Sequence, residues 1–246
     1  MLQGKMIKKI KNFNITYISL SLILTLFLYI FFGLMISNNI TKDDIDQIKK
    51  LNLFDKCSDI TNFQSEMTCI DSVQNKVFNL SLKFNTNCNK GLSAEPKDFV
   101  ERRSGCCVEY TRFIEKILNY YGFQTRHIFL IQPYKGFSIL NLFPLSQQSH
   151  ASSEVYTSKG WLVIDAKYPI KYKDIKNENS KVFSFLDILN NRNTKKEFMD
   201  IDFFEQEVDI IYGLYSRHGY FYGPELPGPE FNLKELIYNF KNFNKK

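Results

Sequence analysis

Cysteine attacks carbon as its thiolate. A helix N-terminus favours that form, because its first amides are unpaired and carry a partial positive charge. One cysteine of this chain meets the requirement. Residues 103–107 (RSGCC) contain a glycine turn. Residues 107–121 (CVEYTRFIEKILNYY) then place Tyr110, Ile114, Ile117, Leu118 and Tyr121 at helical spacing before Gly122 stops the run. Cys107 thus opens a helix, and its N–H is placed to help hold an oxyanion. A base must then reach the thiol, and the choice is His127, His150 or His218. His150 begins a strand-like run at 149–157 (SHASSEVYT). Asp165 lies in a second such run at 161–167 (WLVIDAK), with Ser158-Lys159-Gly160 between them. If Ser158 and Lys159 form a two-residue loop, His150 opposes Lys167 and Asp165 sits diagonal to His150 on the same face. From there a carboxylate can orient an imidazole through its second nitrogen. A one-residue bulge would reverse the parity and separate the two. His127, beside Arg126 on a strand, reads as structural, and His218 reads as part of a packed aromatic loop.

The elements that must hold these residues follow from pattern. Thr41-x-x-Asp44 begins a short helix over 41–56, and 65–82 carries Met67, Ile70, Val73, Val77 and Leu80 at helical spacing. Ser93 with Pro96 and Asp98 starts another helix. Residues 124–131 (QTRHIFLI) predict a strand. Helices are expected within 181–191, 203–216 and 232–240, and an aromatic, Gly- and Pro-rich loop over 217–231. Helices precede a group of antiparallel strands, so the fold class is α+β.

The first 37 residues are a separate matter. Tyr17 to Ile36 reads YISLSLILTLFLYIFFGLMI, twenty residues without a charge. At a rise of about 1.5 Å each, they match the ~30 Å hydrocarbon thickness of a bilayer. No small-residue cleavage site follows, which favours an anchor over a cleaved signal. Lys5, Lys8, Lys9 and Lys11 precede the run, and only Lys42 lies close after it. This bias sets the N-terminus in the cytoplasm and residues 42–246 outside. It also accounts for the charge. The chain of 246 residues has 32 basic and 26 acidic side chains, net +6; without those four lysines the balance is 28 to 26. A body so near neutrality has no nucleic-acid footprint. Expected boundaries are a basic tail at 1–14, an anchor at 15–37, a helical lead-in at 42–92, a catalytic core at 93–170 and a C-terminal extension at 171–246 packing on that core.

Cys57, Cys69, Cys88, Cys106 and Cys107 make an odd number. In an oxidising compartment four can pair and one stays free. No C-x-x-C or H-x₃₋₅-H spacing suggests zinc, and no D-x-D-x-D-G loop suggests calcium.

Residues 105–126 (GCCVEYTRFIEKILNYYGFQTR) resemble the nucleophile segment of the transglutaminase-like superfamily. The features are Gly105-x-Cys107-x-x-Tyr110, then Tyr121-Gly122-Phe123 and Arg126. His150-Ala151-x-x-Glu154-Val155-Tyr156, followed by Gly160-Trp161-Leu162-x-x-Asp165, is similar to that superfamily's histidine and aspartate strands, and the blocks stand in the same order. The resemblance implies a papain-like α+β fold. It implies Cys107 as nucleophile, His150 as general base and Asp165 as the orienting carboxylate, acting on amide or ester bonds of peptides or proteins by hydrolysis or acyl transfer. It implies no metal or organic cofactor. Its register favours Cys107 over Cys106, which leaves Cys106 to pair with Cys57, Cys69 or Cys88, with Cys88 the preferred partner. Ser152 stands where the superfamily often has Trp, and Thr111 where it has a small alanine. Gln147 and Gln148 are possible second oxyanion donors, though they read better as solvated loop residues. Ser152 keeps open a second reading, a catalytically degenerate module binding peptide or glycan at the cell surface. Residues 103–109 faintly resemble the arylamine N-acetyltransferase nucleophile motif, a third reading.

Overall fold

The computed structural model describes residues 17–29, 31, 35–86, 95–132, 149–166, 181–190, 208–215 and 230–243. The chain divides into two units, Met1–Met35 and Ile36–Lys246. In the first, residues 17–29 form helix α1, whose Ile18, Leu22, Ile23, Leu26 and Phe27 are exposed. Among the described residues no helix is long and apolar enough to cross a membrane. The remaining positions of the expected span, 30 and 32–34, lie outside the described residues.

The second unit begins with helix α2 (Lys42–Lys49). Its capping box joins Thr41 N–H to Asp44 Oδ2 at 2.8 Å and Asp44 N–H to Thr41 Oγ1 at 3.2 Å. Helix α3 (Phe54–Cys57) follows as a separate turn, because Asn52 adopts a left-handed φ of 53° that ends the preceding run. The expected single helix over 41–56 is therefore two. Helix α4 (Phe63–Ser81) buries Met67, Ile70, Val73 and Val77, the stripe expected from their spacing. A disulfide between Cys57 and Cys69 ties α3 to α4. Helix α5 (Pro96–Arg102) opens with Pro96 in its first turn, where a missing N–H costs nothing. Helix α6 (Cys107–Tyr120) is buried along nearly its whole length, with Phe113, Ile114, Ile117 and Leu118 in the core beside α4.

The sheet has order β3-β2-β1-β4, and every neighbouring pair is antiparallel. Its strands are β1 (Gln124–Ile131), β2 (Ser149–Thr157), β3 (Gly160–Ile164) and β4 (Asp209–Tyr212). The β2–β3 hairpin turns through Ser158 and Lys159, pairing Thr157 with Gly160 and Ser153 with Ile164. That is the register expected from a two-residue loop, with no bulge. Helix α7 (Phe185–Asn190) precedes β4. After β4, strand β5 (Leu214–Tyr215) pairs with β6 (Glu230–Phe231), and helix α8 (Leu233–Phe243) ends the described chain.

Two expectations are corrected here. Residues 209–215 are extended, not helical. Ile210, Ile211 and Tyr212 are β-branched or aromatic, and they satisfy their backbone groups on the free edge of β1. Gly213, at φ 71°, then breaks the run into β4 and β5. The loop expected over 217–231 ends in a short paired strand, Glu230–Phe231; His218 lies outside the described residues. Segment 209–212, assigned from sequence to the C-terminal extension, is thus an edge of the central sheet.

Residues 36–39 run as a strap against α6. Ile36 N–H bonds Phe231 O at 2.9 Å, Arg112 Nη2 reaches Ser37 O at 3.4 Å, and Lys116 Nζ reaches Asn39 O at 2.6 Å. Arg112 also pairs with Glu95, and Lys116 with Asp44 Oδ2 at 2.9 Å. Both cations are buried, so carboxylates and carbonyls together replace their hydration.

Candidate active site

The turn before α6 is fixed from both sides. Arg103 takes a left-handed φ of 52° at the end of α5. Asn85 N–H then bonds Arg103 O, and Gly105 N–H bonds Asn85 O, each at 3.0 Å. Gly105 is required for close approach. A Cβ there would sit 2.7 Å from the Phe99 ring. Cys106 is the N-cap of α6, and its N–H donates to Glu109 Oε2 at 2.9 Å. Burial pushes the Glu109 carboxyl up, and the hydrogen bonds from the Cys106 and Glu109 amides act against that rise. The geometry delivers Cys107 to the first position of the helix, partly exposed, packed on Val108 and Ala151.

Cys107 is a free thiol and Cys106 is disulfide-bonded. Cys57 and Cys69 pair with each other, so neither partners Cys106 as the sequence reading allowed. Cys88 lies outside the described residues.

His150 and Asp165 are both buried, and His150 Nε2 lies 2.6 Å from Asp165 Oδ2. The Cys107 side chain lies near enough to the imidazole to act on its proton affinity. Burial alone would lower the His150 pKa. The charge and hydrogen bond of Asp165, with the effect of Cys107, outweigh burial and hold it well above the usual value. The structure thus brings together all three residues singled out from the sequence. The diagonal placement follows from the hairpin register, which sets position 165 across from 152, two residues along the strand from His150. Lys167, Gln147 and Gln148 lie outside the described residues.

The remaining histidine, His127, is fully buried away from the thiol, with Nδ1 2.8 Å from Glu115 Oε1 and its ring stacked on Tyr215 at 3.8 Å. Arg126 pairs with buried Glu154 and lies over the rings of Trp161, Tyr212 and Tyr238, at 4.0, 4.5 and 4.4 Å from their centroids. Both are structural.

Sequence reasoning missed two supports of the aspartate. Gln74 of α4 donates its Nε2 to Asp165 O at 2.6 Å, and Ser152 donates its hydroxyl to Ile164 O at 2.8 Å. Together they fix consecutive carbonyls at the end of β3. Gln74 is a polar residue at a buried position of a helix, and that mismatch was the available signal. Thr111, noted only for its size, donates Oγ1 to Ala151 O at 3.0 Å. Among the described residues no group of three or more potential ligands could hold a metal ion.

Residues 58–166 match the family described as the Transglutaminase-like superfamily. No curated protein matches the chain in sequence. Among solved structures, the chain is similar to a candidate cysteine protease from Cytophaga hutchinsonii, at 15% identity and TM-score 0.33, over 79% of this chain and 64% of that one. It is also similar to a TGase, at 19% identity and TM-score 0.33, over 66% of this chain and 39% of that one. The chain therefore spans less than two thirds of either structure.

Proposed function

Because this chain belongs to the transglutaminase-like superfamily through residues 58–166, we propose that it is a cysteine enzyme acting on amide or ester bonds of peptides or proteins. The observation that carries this reading is the proximity of the Cys107 thiol to His150 and of His150 to Asp165. The raised His150 pKa supports the reading, because an imidazole that holds its proton firmly can deliver it to a leaving group.

In the reaction, Cys107 Sγ attacks the carbonyl carbon and forms a C–S bond. The carbonyl electron pair moves onto oxygen. The Cys107 N–H, at the first helical position where amides lack an intrahelical partner, is the proposed donor to that oxygen. Collapse of the oxyanion breaks the bond to the leaving group, which takes the proton of the His150 imidazolium. His150 then removes a proton from water or an amine as it attacks the thioester, the C–S bond breaks and the thiolate returns. Water gives hydrolysis and an amine gives acyl transfer, using the same residues. Asp165 keeps the ring oriented and stabilises its cation throughout.

The protein is further proposed to be anchored by the apolar segment around α1, with its N-terminus in the cytoplasm and residues 42–246 outside. The lysines before that segment and the disulfides of the second unit support this orientation.

Alkylation by iodoacetamide tests the chemistry without a known substrate. Cys107 is expected to react faster at mildly acidic pH than an ordinary thiol, and His150→Ala to remove that advantage. A Cys107 that reacts as an ordinary thiol would favour the binding-module reading. For topology, a membrane-impermeant maleimide is expected to label Cys107 in intact cells. Protection until lysis reverses the orientation.

A further inference from the structure

Three residues of α6 contact β2 in steps of four. Cys107 meets His150, Thr111 donates to Ala151 O at 3.0 Å, and Glu115 accepts from the Ser153 hydroxyl. Positions 107, 111 and 115 share one helical face, and successive members rise by about 6 Å. They meet a strand whose residues advance by about 3.3 Å. The far rung is held firmly, since Glu115 also contacts His127 Nδ1 at 2.8 Å and accepts from Tyr215 OH at 3.1 Å. The near rung is the reactive pair itself. Thr111 stands between them, fully buried, and its acceptor is the carbonyl of the residue after His150. Apolar contact resists separation of helix and strand but scarcely resists sliding, whereas a hydrogen bond to a fixed carbonyl sets the axial position.

We propose that Thr111 is a positioning residue, which fixes the height of the nucleophile's helix against the histidine's strand and so sets the contact between Cys107 and His150. It touches no reacting atom. The idea rests on the cysteine-enzyme reading above and names the side chain that keeps that site aligned. A threonine suits the place because its methyl packs where a serine would leave space, while its hydroxyl reaches the carbonyl.

The test is the pH profile of Cys107 alkylation by iodoacetamide in the full-length protein, with thermal melting recorded alongside. Thr111→Val keeps the shape and deletes the donor. It is expected to lower the rate on the acidic side by about tenfold, since sub-ångström misplacement of a reacting pair carries penalties of this order. Thr111→Ser restores the donor and is expected to stay within about twofold of wild type. Should the valine variant fail to fold, Thr111→Ala, which leaves room for water at Ala151 O, reads the same loss. If the wild type has an acidic shoulder and the Thr111→Val or Thr111→Ala profile superimposes on it, this proposal is overturned and the catalytic reading stands. If the wild type has no shoulder and His150→Ala changes nothing, both fall together.

Discussion

Helix α6 presents a histidine–carboxylate pair near each end, and the two have opposite fates. At its start His150 lies 2.6 Å from Asp165; two turns on, His127 lies 2.8 Å from Glu115. Both imidazoles are buried; the Glu115 carboxylate is bonded again by Ser153 and Tyr215, whereas Gln74 holds the main-chain carbonyl of Asp165. The difference lies in what else the ring meets. His150 meets a partly exposed thiol. His127 meets the face of Tyr215, and its Nε2 has no hydrogen-bond partner. A paired imidazole therefore does not mark a reactive centre. What sets His150 apart is the partly exposed thiol beside it. The sealed pair has a different effect, joining helix, sheet and β5 through one carboxylate.

The comparison can be broken most severely at the open pair. Cys107→Ala or His150→Ala is expected to bring turnover down to background with the melting temperature little changed. Near-wild-type activity in either would remove the assignment. Asp165→Asn comes next, at about 10²-fold, the usual scale for disturbing a general base. Its signature is in pH. With the charge gone, burial governs and His150 holds its proton less tightly, so the acidic shoulder of Cys107 alkylation collapses. In the wild type the raised pKa makes the His150 contribution to stability full below about 6.5 and fading as pH rises through the folded value. Asp165→Asn is expected to erase that slope, and an unchanged slope in the melting profile contradicts the assignment.

The sealed pair is expected to answer in stability instead. His127→Phe keeps the ring stack but removes one partner of Glu115. A loss of about 1–3 kcal/mol in denaturant unfolding is expected, with the alkylation profile of Cys107 retained. A profile that moved with it would mean the two pairs are coupled. A neighbour of the sealed pair is expected to answer in pH dependence alone: Glu235 accepts from His127 N–H at 2.8 Å and from Asn38 Nδ2 at 2.7 Å. Burial, then the nearby charge of Glu115, push its carboxyl up to about 8. A raised acid is protonated in the fold and ionised in the unfolded chain, so its stabilisation is full below about 4.5 and lost as pH rises to about 8. Glu235→Gln is expected to flatten that slope, and equal slopes in urea titrations would contradict the shared-burial account.

Much of the open pair was legible from spacing alone. A two-residue loop fixes hairpin parity, so placing Asp165 diagonal to His150 needed only local reasoning. The helix of Cys107 was legible from its periodicity and Gly122. What escaped depends on distant partners. Gln74 looks like one polar residue of an amphipathic helix until the carbonyl of Asp165, 91 residues away, is known to face it. Segment 209–212 holds an apolar run that suits either helix or strand, and the vacant edge of β1 decides between them. Cys57 and Cys69 pair because a turn between α3 and α4 brings them together, which no cysteine count conveys.

The strap at 36–39 has a practical bearing on how a shortened protein should be cut. Ser37 and Asn39 lend their carbonyls to Arg112 and Lys116, alongside the carboxylates of Glu95 and Asp44. A version beginning at Lys42 would lose the Thr41 cap of α2 and open both the ammonium and the guanidinium to water along α6. Starting at Ile36 retains the covering, so those few extended residues belong to the domain and not to the tail that precedes it.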